Sequence, residues 1–371
     1  MKLIIAGGGT GGHLFPGIAV AEEFLSRDPD NQVLFVGSAQ GIEARTIPRL
    51  GYQLEVISAA GIMGKSSFSK LKGAAMLLYG YAESRKILRE YQPDLIMGVG
   101  GYASLPMVLA GRGMLIPRFI HEQNALPGMS NKVLARVAER VFISLEESAK
   151  FFPTGKTLLT GNPLRRQILD AIEAKGKDGQ AGNGEISSSS PFHLFVFGGS
   201  QGAHALNMAL PRAVAGLDAE HKRRLTIMHQ TGEKDFEAVR NAYTAAAVTA
   251  EVRPFIDDMA QQYRRADLIL CRAGATTIAE VTACGKACLF VPFPHATDDH
   301  QRKNAEALLK KGACEMLLER ELHDQSLATA ITRLMDSPEE LQRIGFNAAG
   351  LARLDAAQVI VDEMLDIVGA R

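Results

Sequence analysis

Short, continuous apolar runs alternate with longer stretches of helical periodicity along almost the whole chain. Strands are predicted over residues 3–6, 33–37, 54–57, 95–99, 119–121, 141–143 and 157–160, with helical patterns between most of them, the first over about 15–26. A run that is apolar throughout marks a strand covered on both faces, and such runs joined by helices give βαβ units and a parallel sheet. The pattern then restarts, with strands at 193–197, 226–230, 251–254, 268–271 and 287–291 and a helix around 203–217. Each series opens on a strand, a glycine-rich loop and a helix. Two α/β domains are therefore expected rather than one large sheet. Their boundary is placed near Gly161-Asn162-Pro163, where glycine and proline interrupt the pattern. Residues 175–191 are polar and rich in Gly and Ser, as in a surface loop. The final stretch, about 352–368, is helical, but its pattern does not say which domain it covers.

A chain of 371 residues suits two domains. With 46% apolar and 22% charged residues it is composed like an ordinary globular protein, and its formal net charge of zero argues against nucleic acid as a partner. Residues 1–160 carry 17 basic and 13 acidic side chains and the remainder 24 and 28, so the first half is the more basic. No run approaches the ~20 apolar residues of a membrane span, so any membrane contact is expected to be peripheral. Cys271, Cys284, Cys288 and Cys314 form no C-x-x-C pair and are read as buried free thiols of a reducing compartment.

One segment departs from the ordinary globular pattern. Phe68, Leu71, Ala75, Leu78 and Ala82 form one stripe at helical spacing, enough to dock a helix on a core. Yet Met76, Leu77, Leu78 and Tyr79 are consecutive and cover the whole circumference. Either the helix is buried on both sides, or the segment is a floppy loop, or it presents a patch to a membrane, with Lys65, Lys70 and Lys72 drawn to anionic headgroups.

Three glycine loops follow strands: GGGTGGH (7–13), GVGGY (98–102) and GGSQG (198–202). Glycine lets backbone approach a phosphate, and a helix N-terminus adds N–H donors and the positive end of its dipole. The first loop fits G-x-G-x-x-G, but the second strand ends Val36-Gly37-Ser38 without the acid that a dinucleotide ribose requires. Each loop alone could be a tight turn. Together they fit an interdomain cleft holding a nucleotide and a second phosphorylated ligand. Thr277 and Glu280 have capping-box spacing, so Glu280 either caps a helix or binds ribose hydroxyls. His295, Asp298, Asp299 and His300 fit no standard zinc spacing, and Asp28-Pro29-Asp30 lies at the wrong end of the sheet for a nucleotide-sugar metal motif. No metal or cofactor is expected.

Taken in order, GGGTGGH (7–13), GVGGY (98–102), HEQN (121–124), GNPLR (161–165), GGSQGA (198–203), FIDDM (255–259), CRAGATTIAE (271–280) and PHATDDHQ..NA (294–305) resemble the MurG family of UDP-N-acetylglucosamine transferases over nearly the whole chain. The resemblance implies a B-type glycosyltransferase fold, two Rossmann-like domains facing a cleft. Residues 1–162 would form the acceptor- and membrane-facing domain, with 352–371 packing back on it, and 163–351 the donor domain. It implies inverting transfer of N-acetylglucosamine from UDP-GlcNAc to the C4 hydroxyl of the MurNAc-pentapeptide of lipid I. The product would be lipid II, for peptidoglycan synthesis, cell shape and division. The enzyme would lie peripherally on the cytoplasmic face of the cell membrane.

Matched motif by motif, Thr10, Gly11 and Gly12 would contact the donor or the acceptor pyrophosphate, and Asn124 the transferred sugar. Arg165 and Ser200 would contact the UDP phosphates, Ile256 uracil, Ala275, Thr276 and Thr277 the phosphates, Glu280 the ribose and Gln301 the sugar hydroxyls. His13, ending the first glycine loop, is the preferred base, since an imidazole suits neutral pH; Glu122 is the other candidate. A B-type epimerase acting on a free UDP-sugar and a non-catalytic nucleotide-sugar sensor are the competing classes. A membrane-contact surface opposes the first, and the joint presence of His13, Glu280 and Gln301 opposes the second.

Overall fold

The computed structural model describes residues 1–59, 67–177, 190–199 and 202–370. The chain divides into two compact units, Met1–Arg165 with Arg353–Arg371, and Arg166–Ala352.

In the first unit the strands are β1 (Lys2–Ala6), β2 (Gln32–Gly37), β3 (Gln53–Val56), β4 (Leu95–Gly98), β5 (Arg118–Glu122), β6 (Arg140–Ile143) and β7 (Thr157–Leu159). They form one parallel sheet in the order β3-β2-β1-β4-β5-β6-β7. The central strands are buried along nearly their whole length, as continuous apolar runs require when helices cover both faces. Side chains alternate between those faces. Ile4 and Ala6 pack with Leu34, Val108 and Ile120, while Leu3 and Ile5 pack with Leu14, Phe24 and Val33. The second of these cores is completed by the last helix, Ala356–Gly369, whose Ile360, Val361 and Met364 are fully buried in it. Ion pairs Arg27–Asp362 at 2.8 Å and Arg140–Glu363 at 2.6 Å flank that contact.

The second unit holds β8 (Phe192–Phe197), β9 (Leu225–Gln230), β10 (Thr249–Arg253), β11 (Leu268–Cys271), β12 (Ala287–Phe290) and β13 (Glu315–Met316), again parallel, in the order β10-β9-β8-β11-β12-β13. The two-residue β13 was too short to leave a sequence signature. Cys271, Cys288 and Cys314 are buried free thiols, whereas Cys284 is partly exposed, a small departure from the expectation. Burial pushes the Cys314 thiol up to about 12, which keeps it protonated.

In each sheet the chain winds outward in both directions from one pair of strands, β1 and β4 in the first and β8 and β11 in the second. A crevice opens beyond the carboxyl ends of strands at such a reversal. The loops that leave these four strands are the glycine motifs at 7–12, 98–102 and 198–203 and the segment at 271–277.

Candidate active site

In the first unit the glycines serve first to let two loops cross. A Cβ on Gly7 would stand 2.2 Å from the Gly100 carbonyl oxygen, and one on Gly101 2.4 Å from that of Gly8, both at positive φ. Gly8 N–H donates to the Gly100 carbonyl at 3.2 Å. A side chain at either position would force the loops apart.

Glu43, at the start of the helix Glu43–Arg49, is 1% exposed. Its carboxylate accepts from Gly9 N–H at 2.7 Å and from the Ser38 amide and hydroxyl at 2.9 Å each. The acid missing from the end of β2 thus arrives six residues later and turns inward onto the glycine loop. The Gly9 amide is therefore occupied by protein. The donors left over are at the next turn: Thr10 caps the helix Gly11–Ser26 in extended conformation without a side-chain cap bond, and the amides of residues 10–12 have no acceptor among the described residues. The helix starts four residues earlier than its apolar periodicity suggests, because Gly11 and Gly12 carry no periodic signal.

His13 lies in that first turn. Its Nδ1 is 3.1 Å from Gln123 Oε1. Gln123 Nε2 donates to the Val99 carbonyl at 2.8 Å and lies 3.0 Å from His121 Nδ1. Glu122 is 1% exposed, and four donors surround its carboxylate: Asn124 N–H at 2.9 Å, Asn124 Nδ2 at 3.2 Å, Gly128 N–H at 3.1 Å and Asn131 Nδ2 at 2.9 Å. Glu122 therefore holds Asn124 and the following loop in place, and its oxygens face protein donors. The Arg165 guanidinium stacks over the Phe15 ring at 5.5 Å.

In the second unit a Cβ on Gly202 would lie 1.9 Å from the Thr231 carbonyl oxygen, so that loop too depends on glycine. Ser200 lies outside the described residues. Gln230 ties the loop to the next one, donating to the Gly199 carbonyl at 3.0 Å and accepting from Ile256 N–H at 2.9 Å. The helix Ala275–Ala283 begins at Gly274 without a side-chain cap, so the amides of Ala275, Thr276 and Thr277 form its donor end. The Thr276 hydroxyl is buried and has no partner among the described residues. Glu280 is the sixth residue of that helix, which rules out the capping box: the helix starts two residues before Thr277. Glu280 is 3% exposed and accepts from the Tyr263 hydroxyl at 2.9 Å. The Tyr263 ring is wedged edge-on against Phe195 and Phe197. Gln301 Oε1 accepts from Phe293 N–H at 3.0 Å.

Sequence reasoning did not single out Glu43, Gln230 or Tyr263, and gave Gln123 no role of its own. Only the glycines around Glu43, at 37 and 41, hinted that something large must fit there.

Two histidines are completely buried, and burial lowers His121 to about 4 and His229 to about 3. Both are neutral in the folded protein at neutral pH, whereas in the unfolded chain they take a proton below about 6.5. Stability is therefore lost as pH falls from about 6.5 to 4, by about 3 kcal/mol from His121 alone. His221 works in the opposite sense: burial lowers it, but Asp336 and Asp218 outweigh that and raise it overall. Melting temperatures between pH 7 and 4.5 should fall less steeply in His121→Asn than in the parent chain; equal slopes would contradict this.

Residues 3–143 match the glycosyltransferase family 28 N-terminal domain and residues 193–360 the glycosyltransferase family 28 C-terminal domain. The chain is 71% identical over 373 residues to the UDP-N-acetylglucosamine–N-acetylmuramyl-(pentapeptide) pyrophosphoryl-undecaprenol N-acetylglucosamine transferase of Trichlorobacter lovleyi, covering 99% of this chain and 98% of that protein. It is 62% identical over 365 residues to the transferase of the same name from Geobacter metallireducens, covering 98% of each. Among solved structures it is similar to Acinetobacter baumannii MurG, with a TM-score of 0.80, 33% identity and coverage of 98% of this chain and 99% of that one. UDP-GlcNAc 2-epimerase from Neisseria meningitidis, at TM-score 0.66 and 12% identity over 99% and 100% of the two chains, shares the fold alone.

Proposed function

Because the chain belongs to glycosyltransferase family 28 and, within it, to the MurG transferases, we propose a division of labour in which His13 is the base and Glu280 holds the donor ribose. The protein is a glycosyltransferase of peptidoglycan synthesis: it transfers N-acetylglucosamine from UDP-N-acetylglucosamine to lipid I, making lipid II.

In the proposed mechanism the C4 hydroxyl of the acceptor attacks C1 of the sugar and gives its proton to His13, and UDP departs with inversion. The observation carrying this reading is the position of His13 in the first turn of a helix whose leading amides, at Thr10, Gly11 and Gly12, have no acceptor among the described residues. A base and an anion-binding helix end stand side by side, as acceptor activation beside a pyrophosphate requires. The donor end at Ala275, Thr276 and Thr277, with a Thr276 hydroxyl that has no partner among the described residues, is assigned to the UDP phosphates and to stabilising the leaving group. Arg165 and Ser200 are assigned to the same diphosphate, Ile256 to uracil, and Asn124 and Gln301 to the transferred sugar. The first unit is assigned to the acceptor and the second to the donor. Incubating the protein with UDP-GlcNAc and lipid I in vesicles tests the whole reading. Lipid II should form and UDP release should require lipid I; UDP release or epimerisation without acceptor would refute it.

The acceptor's lipid tail implies work at a bilayer, and the proposed location is peripheral, on the cytoplasmic face. No helix among the described residues is long and apolar enough to cross a membrane. In the helix Ser67–Tyr91, Leu78 is 72% and Tyr79 64% exposed, which supports the reading of an apolar patch turned to lipid. Lys65 and the side chains of Phe68, Lys70, Leu71 and Lys72 lie outside the described residues. At about 1 kcal/mol per lysine near an anionic surface, changing Lys65, Lys70 and Lys72 together to Glu should abolish co-sedimentation with anionic vesicles. Activity on a short-chain soluble acceptor should survive. Unchanged vesicle binding would place the membrane surface elsewhere.

A further inference from the structure

An imidazole can act as a base only through a nitrogen that carries no proton, so the tautomer of His13 decides whether it can serve. The surroundings of Gln123, itself 1% exposed, settle which tautomer it is. The Val99 carbonyl, 2.8 Å from the Gln123 amide, can only accept, so the atom facing it is the nitrogen Nε2. The second hydrogen of that NH2 group points to His121 Nδ1 at 3.0 Å. The atom left facing His13 Nδ1, at 3.1 Å, is the carbonyl oxygen Oε1. An acceptor there requires the His13 proton on Nδ1, which puts the lone pair of the neutral ring on Nε2.

His121 closes the chain consistently. Its Nδ1 accepts from Gln123, so its own proton is on Nε2, where the Gly161 carbonyl stands at 3.2 Å and the Ser144 oxygen at 3.2 Å. Complete burial keeps His121 neutral, with its pKa lowered to about 4, so its Nδ1 remains an acceptor at working pH. Were His121 protonated, its Nδ1–H would confront the Gln123 NH2 group and the chain of bonds would reverse or break.

We infer that Gln123, held by the Val99 carbonyl and His121, is a positioning residue that fixes His13 in the Nδ1-protonated tautomer and leaves Nε2 to take the acceptor's proton. This rests on the reading of His13 as the base. The anchor is a neutral amide, so it orients the ring without adding a negative charge next to an anionic pyrophosphate.

Imidazole ¹⁵N NMR on the full-length chain reads the tautomer directly, with His13 identified among the nine histidines by its absence in His13→Ala. The expected spectrum has a protonated Nδ1 and an unprotonated Nε2 at His13, and the reverse at His121. In Gln123→Leu the His13 preference should disappear. There kcat should fall roughly 10- to 100-fold, at or below the low end of the full general-base contribution of about 10²–10⁴-fold, with KM for UDP-GlcNAc and UDP affinity unchanged. A wild-type spectrum with the proton on His13 Nε2 overturns the inference whatever the activity, and decides the matter alone should Gln123→Leu not fold. The expected spectrum with undiminished kcat in folded Gln123→Leu also overturns it. If His13→Ala itself turns over normally while the wild-type tautomer is as described, the base assignment is what has failed.

Discussion

Replacing His13 with alanine is expected to lower kcat by about 10²-fold or more while leaving UDP affinity almost unchanged. The split follows from location. His13 belongs to the first unit, beside helix amides that face no acceptor among the described residues, whereas the residues assigned to uracil and ribose, Ile256 and Glu280, belong to the second. Removing a base affects the step in which the acceptor hydroxyl loses its proton, and a nucleotide bound in the other unit does not register the loss. Steady-state turnover on lipid I, with calorimetry of UDP binding, checks both halves. Near-wild-type turnover would shift the role to Glu122, the other candidate. The geometry argues against that outcome: the Glu122 carboxylate already receives the Asn124 and Gly128 amides and the Asn124 and Asn131 side chains, so its oxygens are engaged with protein donors.

Glu280→Ala should raise KM for UDP-GlcNAc by roughly 10- to 150-fold, the equivalent of about 1.5–3 kcal/mol of charge-assisted hydrogen bonding to ribose hydroxyls. The alternative, that Glu280 only caps its helix, would have cost about 1 kcal/mol of stability with donor affinity intact. It fails on position, since the helix begins at Ala275 and Glu280 is buried at its sixth residue. Alanine would also remove the acceptor that Glu280 offers the Tyr263 hydroxyl, so Glu280→Gln is the cleaner partner variant: it can still accept from Tyr263 but lacks the charge. Melting curves with UDP calorimetry separate the effects. Lost stability with unchanged UDP affinity in both variants would remove Glu280 from the donor site.

Much of this could be read in the sequence. Continuous apolar runs such as Leu3-Ile4-Ile5-Ala6 and Leu268-Ile269-Leu270-Cys271 specify parallel strands because both of their faces must be covered, and each segment read as a strand is one. The eight motifs taken in order pointed to the family that the comparisons show. The misreadings were local. The first helix begins inside its glycine loop, the Thr277–Glu280 spacing is not a cap, and the pair β12–β13 has a partner too short to leave a pattern.

The sequence by itself determined what repeats at short range: which segments are strands, which are helices, and where glycine breaks them. Periodicity and local sterics act over a few residues and are written in consecutive letters. Only the tertiary structure decided what depends on residues far apart meeting. It brought Glu43 onto the Gly9 amide, seated Tyr263 beneath Glu280, packed the helix Ala356–Gly369 against β1's face of the first unit, and stood Gln123 between His13 and His121. No spacing rule links positions 13 and 123. They meet because β1 and β4 are neighbours at the point where the sheet reverses its winding, with β5 next in order, so the loops leaving all three strands emerge at the same edge. The direction of a hydrogen bond, and with it the tautomer of a histidine, is settled only when donors and acceptors from such distant segments are counted together.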